Sequence, residues 1–208
     1  MSDLTNILDT ADKLFRKYGI RSVTMTEIAR QLGISKKTLY VHIENKQDLV
    51  AKIVKSYISE ETEMCNAAVR DADNALDELL RISIYVQNQI KAINPSIIYD
   101  LQKYYRSVWK LMDGFHRTYI LNMAEHNLQR GVEEGIYRAD LDIKIIAKIY
   151  VGLFPILSDG ETFSLEEYTT SKIYGEFMKY HIHGIVSSKG RAVLEEFMKE
   201  NTLNSIIF

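Results

Sequence analysis

Only two prolines interrupt this chain of 208 residues, and apolar side chains recur at intervals of three and four along most of it. That spacing is the period of a helix with one buried face, and few prolines means few forced breaks. Ten glycines and abundant Leu, Ile, Glu, Lys and Ala favour long helices over many short strands. The expected fold class is all-α. Hydrophobic residues make up 46% and charged residues 26%, and no apolar run approaches the roughly 20 residues needed to span a bilayer. The opening residues lack the basic-then-apolar layout of a signal peptide, and a single cysteine, Cys65, cannot make an internal disulfide. Both facts suit a soluble protein of the reducing cytoplasm.

The formal charge of -2 hides an asymmetry: residues 1–58 hold ten Lys/Arg against six Asp/Glu, and the remainder is acidic. A basic front on an acidic body suggests a polyanion-binding module. In that front segment Leu4, Ile7, Leu8, Ala11, Leu14, Phe15 and Tyr18 form one helical stripe, closed by Gly19. Thr24 with Glu27 three residues on reads as a capping box. It opens a second helix buried through Met25, Ile28, Ala29 and Leu32 and stopped by Gly33. Ser35 is a good N-cap for a third helix, with Leu39 and Ile43 facing inward. Two short helices joined by a glycine turn make a helix-turn-helix. The outward face of the third helix carries Lys36, Lys37, Thr38, Tyr40 and His42, with no carboxylate before Glu44. Cations and hydroxyls at a helix start suit phosphates and base edges. A fourth helix begins near Lys46, capped by Asn45, and extends unbroken to about Asp71 as a stiff connector.

The run VTMTEIARQLGISKKTLYVHIENKQDLV resembles the DNA-binding signature of the tetracycline-repressor (TetR) family of one-component regulators. Thr24, Thr26, the Ile28-Ala29 pair, Gly33, Ser35, Leu39-Tyr40, His42 and Lys46-x-x-Leu49 carry the match. An aromatic usually follows the histidine, and Ile43 in its place should keep the packing role. The resemblance implies double-stranded operator DNA as a partner. It implies phosphate contacts from Thr26, Tyr40, His42 and Lys46 and base-edge contacts from Lys36, Lys37 and Thr38, with Thr24 and Ser35 also among the DNA-binding residues. It also implies a helix-turn-helix domain over 1–46 and a helical effector-binding and dimerisation domain over 47–208.

A fifth helix through Leu76, Leu79, Leu80, Val86, Ile90 and Ile93 ends at Asn94-Pro95. Aromatics then crowd together: Tyr99, Tyr104, Tyr105, Trp109, Phe115 and Tyr119, with Met112 and Met123 nearby. They fit either an ordinary core or a pocket wall. On the pocket reading Tyr99, Gln102, Tyr105, Trp109, Met112, His116, Tyr119 and Met123 are the candidate ligand contacts. The resemblance implies an unidentified small-molecule effector there. Gly131 and Gly135 are read as ending another helix, and Asp140-Leu-Asp142 as starting one apolar nearly all round, which must be buried. Ser164 with Glu167 reads as a capping box for the next. By resemblance these last long helices pair across a two-fold axis, with Ile146, Ile149, Tyr150, Leu153, Tyr174, Phe177, Met178, His181 and Ile185 as the candidate homodimer interface. Burial inside a monomer is the alternative. From Arg191 on, a short helix and a tail packing Ile206, Ile207 or Phe208 are expected.

No nucleophile with a base, paired acids, phosphate loop or metal cluster stands at a convincing spacing, so neither enzyme activity nor a cofactor is expected. His181 and His183, two residues apart, point to different sides of a helix and make a poor metal site. Cys65, on a polar helix, is read as inert. The leading function is a ligand-responsive repressor acting as a dimer on a palindromic operator. The competing one is a ligand-binding or interaction module that keeps the fold without reading DNA.

Overall fold

A computed structural model of the chain describes residues 3–94, 96–157, 162–164 and 166–200, apart from the side chains of residues 154, 157 and 200. The described residues are helical almost throughout, as expected, and group into two compact units, Met1–Glu61 with Ala92–Gly114, and Thr62–Lys91 with Phe115–Phe208.

In the first unit, α1 (Asp3–Tyr18) turns one stripe inward through Ile7, Ala11 and Phe15. Tyr18, expected on that stripe, is 47% exposed, because the helix ends there and the chain turns at Gly19. Gly19 adopts φ +81, a left-handed conformation that side chains disfavour. α2 (Met25–Leu32) is capped by Thr24, whose Oγ1 accepts the Glu27 N–H at 3.1 Å, and stops at left-handed Gly33. α3 (Lys36–His42) is capped by Ser35, whose Oγ accepts the Thr38 N–H at 3.0 Å. α4 (Lys46–Asp71) is capped by Asn45, whose Oδ1 accepts the Asp48 N–H at 2.9 Å. Ile28, Leu39, Ile43 and Leu49 are almost fully enclosed. Ile43 thus fills the packing position expected of it. α6 (Ser96–Tyr104) and α7 (Arg106–Phe115) complete this unit save for Phe115. Pro95, expected with Asn94 at the end of the fifth helix, lies outside the described residues. Asn94 does cap that turn, accepting the Ser96 N–H at 3.0 Å.

In the second unit, α5 (Ala75–Lys91), α8 (Leu121–Glu133), α9 (Ile143–Gly152), α11 (Thr170–Ile185) and α12 (Ser188–Glu200) share one core. Leu76, Leu80, Leu128, Ala147, Met178 and Ile182 lie at its centre. A π-helical turn, His116–Ile120, precedes α8, and α10 (Phe154–Leu157) follows α9. The start of α5 is held by a polar knot. Glu134 accepts the Ala75 N–H at 2.8 Å, while Asn127 and the Tyr137 hydroxyl both donate to the Ala75 carbonyl. Arg130 bonds Glu134 at 2.6 Å and Glu78 at 3.2 Å.

Five expectations need correction. Gly131 does not end a helix: it lies inside α8, where the Tyr137 ring packs so closely that a Cβ would come within 2.0 Å of it. Gly135, at φ +70, is the stop. Ser164 and Glu167 form a turn, with Ser164 Oγ accepting the Glu166 N–H. α11 starts later, capped by Thr169 Oγ1 on the Lys172 N–H. α9 buries only Ala147 within the chain, leaving Ile145 and Ile149 about half exposed. α12 begins at Ser188, ahead of Arg191, because Ser187 caps it. Cys65, placed by the sequence on a polar helix, is fully buried. The tail residues Ile206, Ile207 and Phe208 lie outside the described residues.

Replacing Gly131 by Ala forces Tyr137 out of its seat, and overpacking of this kind costs about 1–3 kcal/mol. Thermal unfolding of Gly131→Ala should show that loss, and an unchanged melting temperature would refute the packing.

Candidate nucleic-acid interface

The caps that define α2 and α3 also decide which hydroxyls remain for DNA. Thr24 and Ser35 each use one lone pair on a backbone N–H, so neither cap consumes a hydroxyl hydrogen. Ser35 Oγ and Thr38 Oγ1 stand 2.8 Å apart, so these two share a hydrogen. Thr24, Thr26, Lys36, Lys37, Thr38 and Tyr40 are all exposed, and His42 is half-buried at the end of α3. The Lys36 ammonium lies 5.8 Å from the Tyr40 ring centroid, which gathers a cation and a phenol at the helix start. With Ser35, seven of the nine sequence-predicted DNA residues therefore occupy open surface on two adjoining short helices and their caps.

Lys46 is placed differently. Its ammonium donates to the carbonyls of Val23 and Arg21 and lies 5.9 Å from the Phe15 ring centroid. Burial lowers its pKa, against the opposing pull of Asp100. This ammonium ties the start of α4 to the α1–α2 connection.

The candidate effector residues fall in both units. In the first, Tyr99 is half exposed and meets Tyr104 edge-on at 6.3 Å, while Met112 is buried. Gln102, Tyr105 and Trp109 are half-buried, and burial raises the Tyr105 pKa. In the second, Tyr119 stacks on Phe115 at 5.3 Å and donates to Asn66 Oδ1 at 2.8 Å. His116 is half-buried beside the same Phe115, edge-on at 5.6 Å. Met123 alone of the set lines a cavity of about 20 Å³, together with Leu79, Ile82, Asn127, Tyr150 and His181. That volume accommodates about one water. The sequence reading did not place α5 there; the available clue was Glu78, a carboxylate within a leucine-rich stripe, which the fold buries to 3% exposure.

The candidate dimer residues also divide. Tyr174, Met178 and Ile185 belong to the chain's own core, and Ile146, Tyr150 and Phe177 pack against it. Leu153 is half-buried. Ile149 is 52% exposed, with Ile145 one turn before it and Tyr180 of α11 exposed to 82%. His181 packs on Tyr150 and Phe177, ring centroids 5.0 and 5.8 Å away, and burial pushes its pKa down to about 4. His183 is exposed, so the two histidines diverge as expected. Among the described residues no group of three or more His, Cys, Asp or Glu is placed to hold a metal ion, and no helix is long and apolar enough to cross a membrane.

Capped, compact helices with a cationic and hydroxyl-rich outer face define a helix-turn-helix DNA-binding protein. Residues 7–53 match the model of the tetR family of bacterial regulatory proteins. Across more of its length the chain is similar to the uncharacterised HTH-type transcriptional regulator YvaF of Bacillus subtilis, 22% identical over 88% of this chain and 95% of that one. It is 27% identical to the HTH-type transcriptional repressor KstR2 of Rhodococcus jostii, over 68% of this chain and 71% of that one. The crystal structure of a TetR-family regulator from Agrobacterium tumefaciens shares the fold at a TM-score of 0.71 and 18% identity, covering 88% of this chain and 97% of that one. The chain is thus similar to TetR-family transcriptional regulators, through the family's DNA-binding segment over residues 7–53 and through the fold over most of its length.

Two buried titratable groups give opposite pH dependences. His181 stays neutral when folded down to about pH 4, and once unfolded it takes up a proton near 6.5. Stability from this group therefore falls as pH is lowered between those values. Glu61, 5% exposed, has its carboxyl pushed up to about 7 by burial, with a hydrogen bond from Tyr57 opposing, against 4.5 unfolded. Its stabilisation is lost as pH rises through that range. The two contributions oppose each other over most of the interval, so Glu61→Gln should reveal the histidine. Denaturant melts of this variant should gain about 2 kcal/mol between about pH 5 and 7 relative to wild type. Parallel curves would show that Glu61 ionises freely in the fold.

Proposed function

We propose that this regulator is a ligand-responsive repressor that binds a palindromic operator as a two-fold dimer. The observation that carries the reading is the outer face of α3, where Lys36, Lys37, Thr38 and Tyr40 stand exposed on a helix fixed by its Ser35 cap. In the proposed division of labour, residues 1–46 read DNA, with base edges met by Lys36, Lys37 and Thr38 and phosphates by Thr26, Tyr40 and His42. Residues 47–208 bind effector and pair with a second copy in the cytoplasm. This boundary follows roles along the chain, whereas packing groups α6 and α7 with the reading helices. In a two-fold dimer the reading helices enter successive major grooves about 34–36 Å apart. The effector enters beside Met123, Tyr150 and His181, meeting a mainly apolar wall with few polar groups. Binding there favours a dimer whose reading helices no longer fit, and linkage weakens DNA binding.

Fluorescence anisotropy on duplex from the chain's own upstream region, against scrambled duplex and across a salt series, tests the reading. Preference for the upstream duplex is expected, and equal affinity would favour the module that keeps the fold without reading DNA. Thr38→Ala should change the preference among base-pair variants at one position by about 1–3 kcal/mol, whereas Tyr40→Phe should weaken binding to all sequences alike. The reverse pattern would overturn the contact assignments.

Dimerisation is proposed through Ile145 and Ile149 of α9 and Tyr180 of α11, an apolar surface that one copy leaves open. Light scattering should give a dimer for the wild type and a folded monomer for Ile149→Glu. A folded wild-type monomer at micromolar concentration would end the proposal.

A further inference from the structure

Ser96, Asp100 and Tyr104 stand four residues apart on α6 and so form a single stripe. All three meet the connection between α1 and α2. Ser96 Oγ lies so near Gly19 that a Cβ there would come within 2.5 Å of it. Asp100, a carboxylate buried to 5% exposure, accepts the backbone N–H of Arg21 at 3.1 Å. The Arg21 guanidinium lies 4.3 Å from the Tyr104 ring centroid and donates to its hydroxyl at 2.9 Å. Just ahead of α6, Asn94 donates to the Lys17 carbonyl at 3.3 Å. Lys46 grips the same connection through the carbonyls of Arg21 and Val23.

Closing this turn does not require so many polar fixings, since Ile20 and Val23 already seal it with buried apolar side chains. Burying a carboxylate is costly unless it is paired, and the Asp100 carboxylate takes a backbone donor at the point where the chain swings from α1 toward α2. Two residues beyond Arg21 comes Val23, then Thr24, the cap of α2. Whatever fixes Arg21 therefore fixes the direction in which α2 leaves and, after the Gly33 turn, the orientation of α3. A pre-set reading surface loses less freedom on binding.

We propose that Asp100 and Tyr104 are positioning residues for DNA binding, acting through Arg21 on the α1–α2 turn without touching DNA themselves. The inference rests on the DNA-binding reading above. Asp100→Ala and Tyr104→Ala should each weaken affinity for the upstream duplex by about five-fold or more. The salt slope should be unchanged, because no phosphate contact is removed. Asp100→Asn, whose amide oxygen can still accept the Arg21 N–H, should recover most of the loss. In an Arg21→Ala background, Tyr104→Ala should have no further effect. Without any DNA, amide exchange at residues 21–24 should quicken in Asp100→Ala and Tyr104→Ala while the melting temperature of Tyr104→Ala stays near wild type. Unchanged affinity and exchange, additive losses, tighter binding, or a salt slope reduced by about one in Arg21→Ala would each overturn the proposal, the last by showing that Arg21 itself grips a phosphate. If wild type fails to prefer the upstream duplex, the functional reading fails, and the exchange measurement still decides whether the turn is clamped.

Discussion

The reading surface depends on backbone N–H groups being satisfied at the starts of two very short helices. α2 has eight residues and α3 seven, well below the length at which a helix holds itself in water. Each is closed by one side-chain cap, from Thr24 and Ser35, and each such cap is worth about 1 kcal/mol. Their other support is packing around Ile28, Leu39 and Ile43. The same hydroxyls that hold the helices stand on the proposed DNA face, so local folding and presentation to DNA are one requirement at these positions. A substitution at Thr24 or Ser35 therefore alters helix stability and surface chemistry together, whereas Tyr40, with no cap to supply, is separable.

The first fifty residues were the most legible part of the chain because their interactions are local. A cap reaches three residues, a helical stripe repeats every three or four, and a left-handed turn asks for glycine, so Thr24, Ser35, Asn45, Gly19 and Gly33 could be placed without knowing the fold. Lys46 shows where this stops. Its position in a family pattern implies a phosphate contact, and nothing local reveals that its ammonium also donates to the Val23 and Arg21 carbonyls, more than twenty residues earlier. The same distance effect hid Gly131, whose reason for being glycine is a ring six residues later folded back across α8. In α9 an apolar pattern nearly all round predicts burial, but within one chain only Ala147 is buried and Ile145 and Ile149 remain open.

The candidate effector aromatics show a different limit. A stripe of Tyr, Trp and Met looks alike whether it lines a cavity or fills a core. The fold assigns Met112 to a core, leaves Tyr99 half exposed, and gives the cavity to residues of α5, α8, α9 and α11. Polar residues inside apolar stripes were the better clue: Glu78 and Asn127 both line that cavity and both join the knot at the start of α5.

That arrangement bears on how an effector could act. A cavity that holds about one water cannot admit an organic molecule unless the surrounding helices move apart. On the proposed reading, opening is part of binding, and the closed form binds effector poorly for a steric reason. A ligand shifts a conformational equilibrium only by its differential affinity for the two states, and a site that must be opened supplies that difference by construction. His181 sits where the opening would occur, held among Tyr150 and Phe177 and kept neutral by burial. Its imidazole can turn a donor or an acceptor toward an uncharged polar group without first losing a proton. The helices that would part, α9 and α11, also carry the exposed Ile145, Ile149 and Tyr180, so a change in their spacing reaches the proposed dimer surface directly.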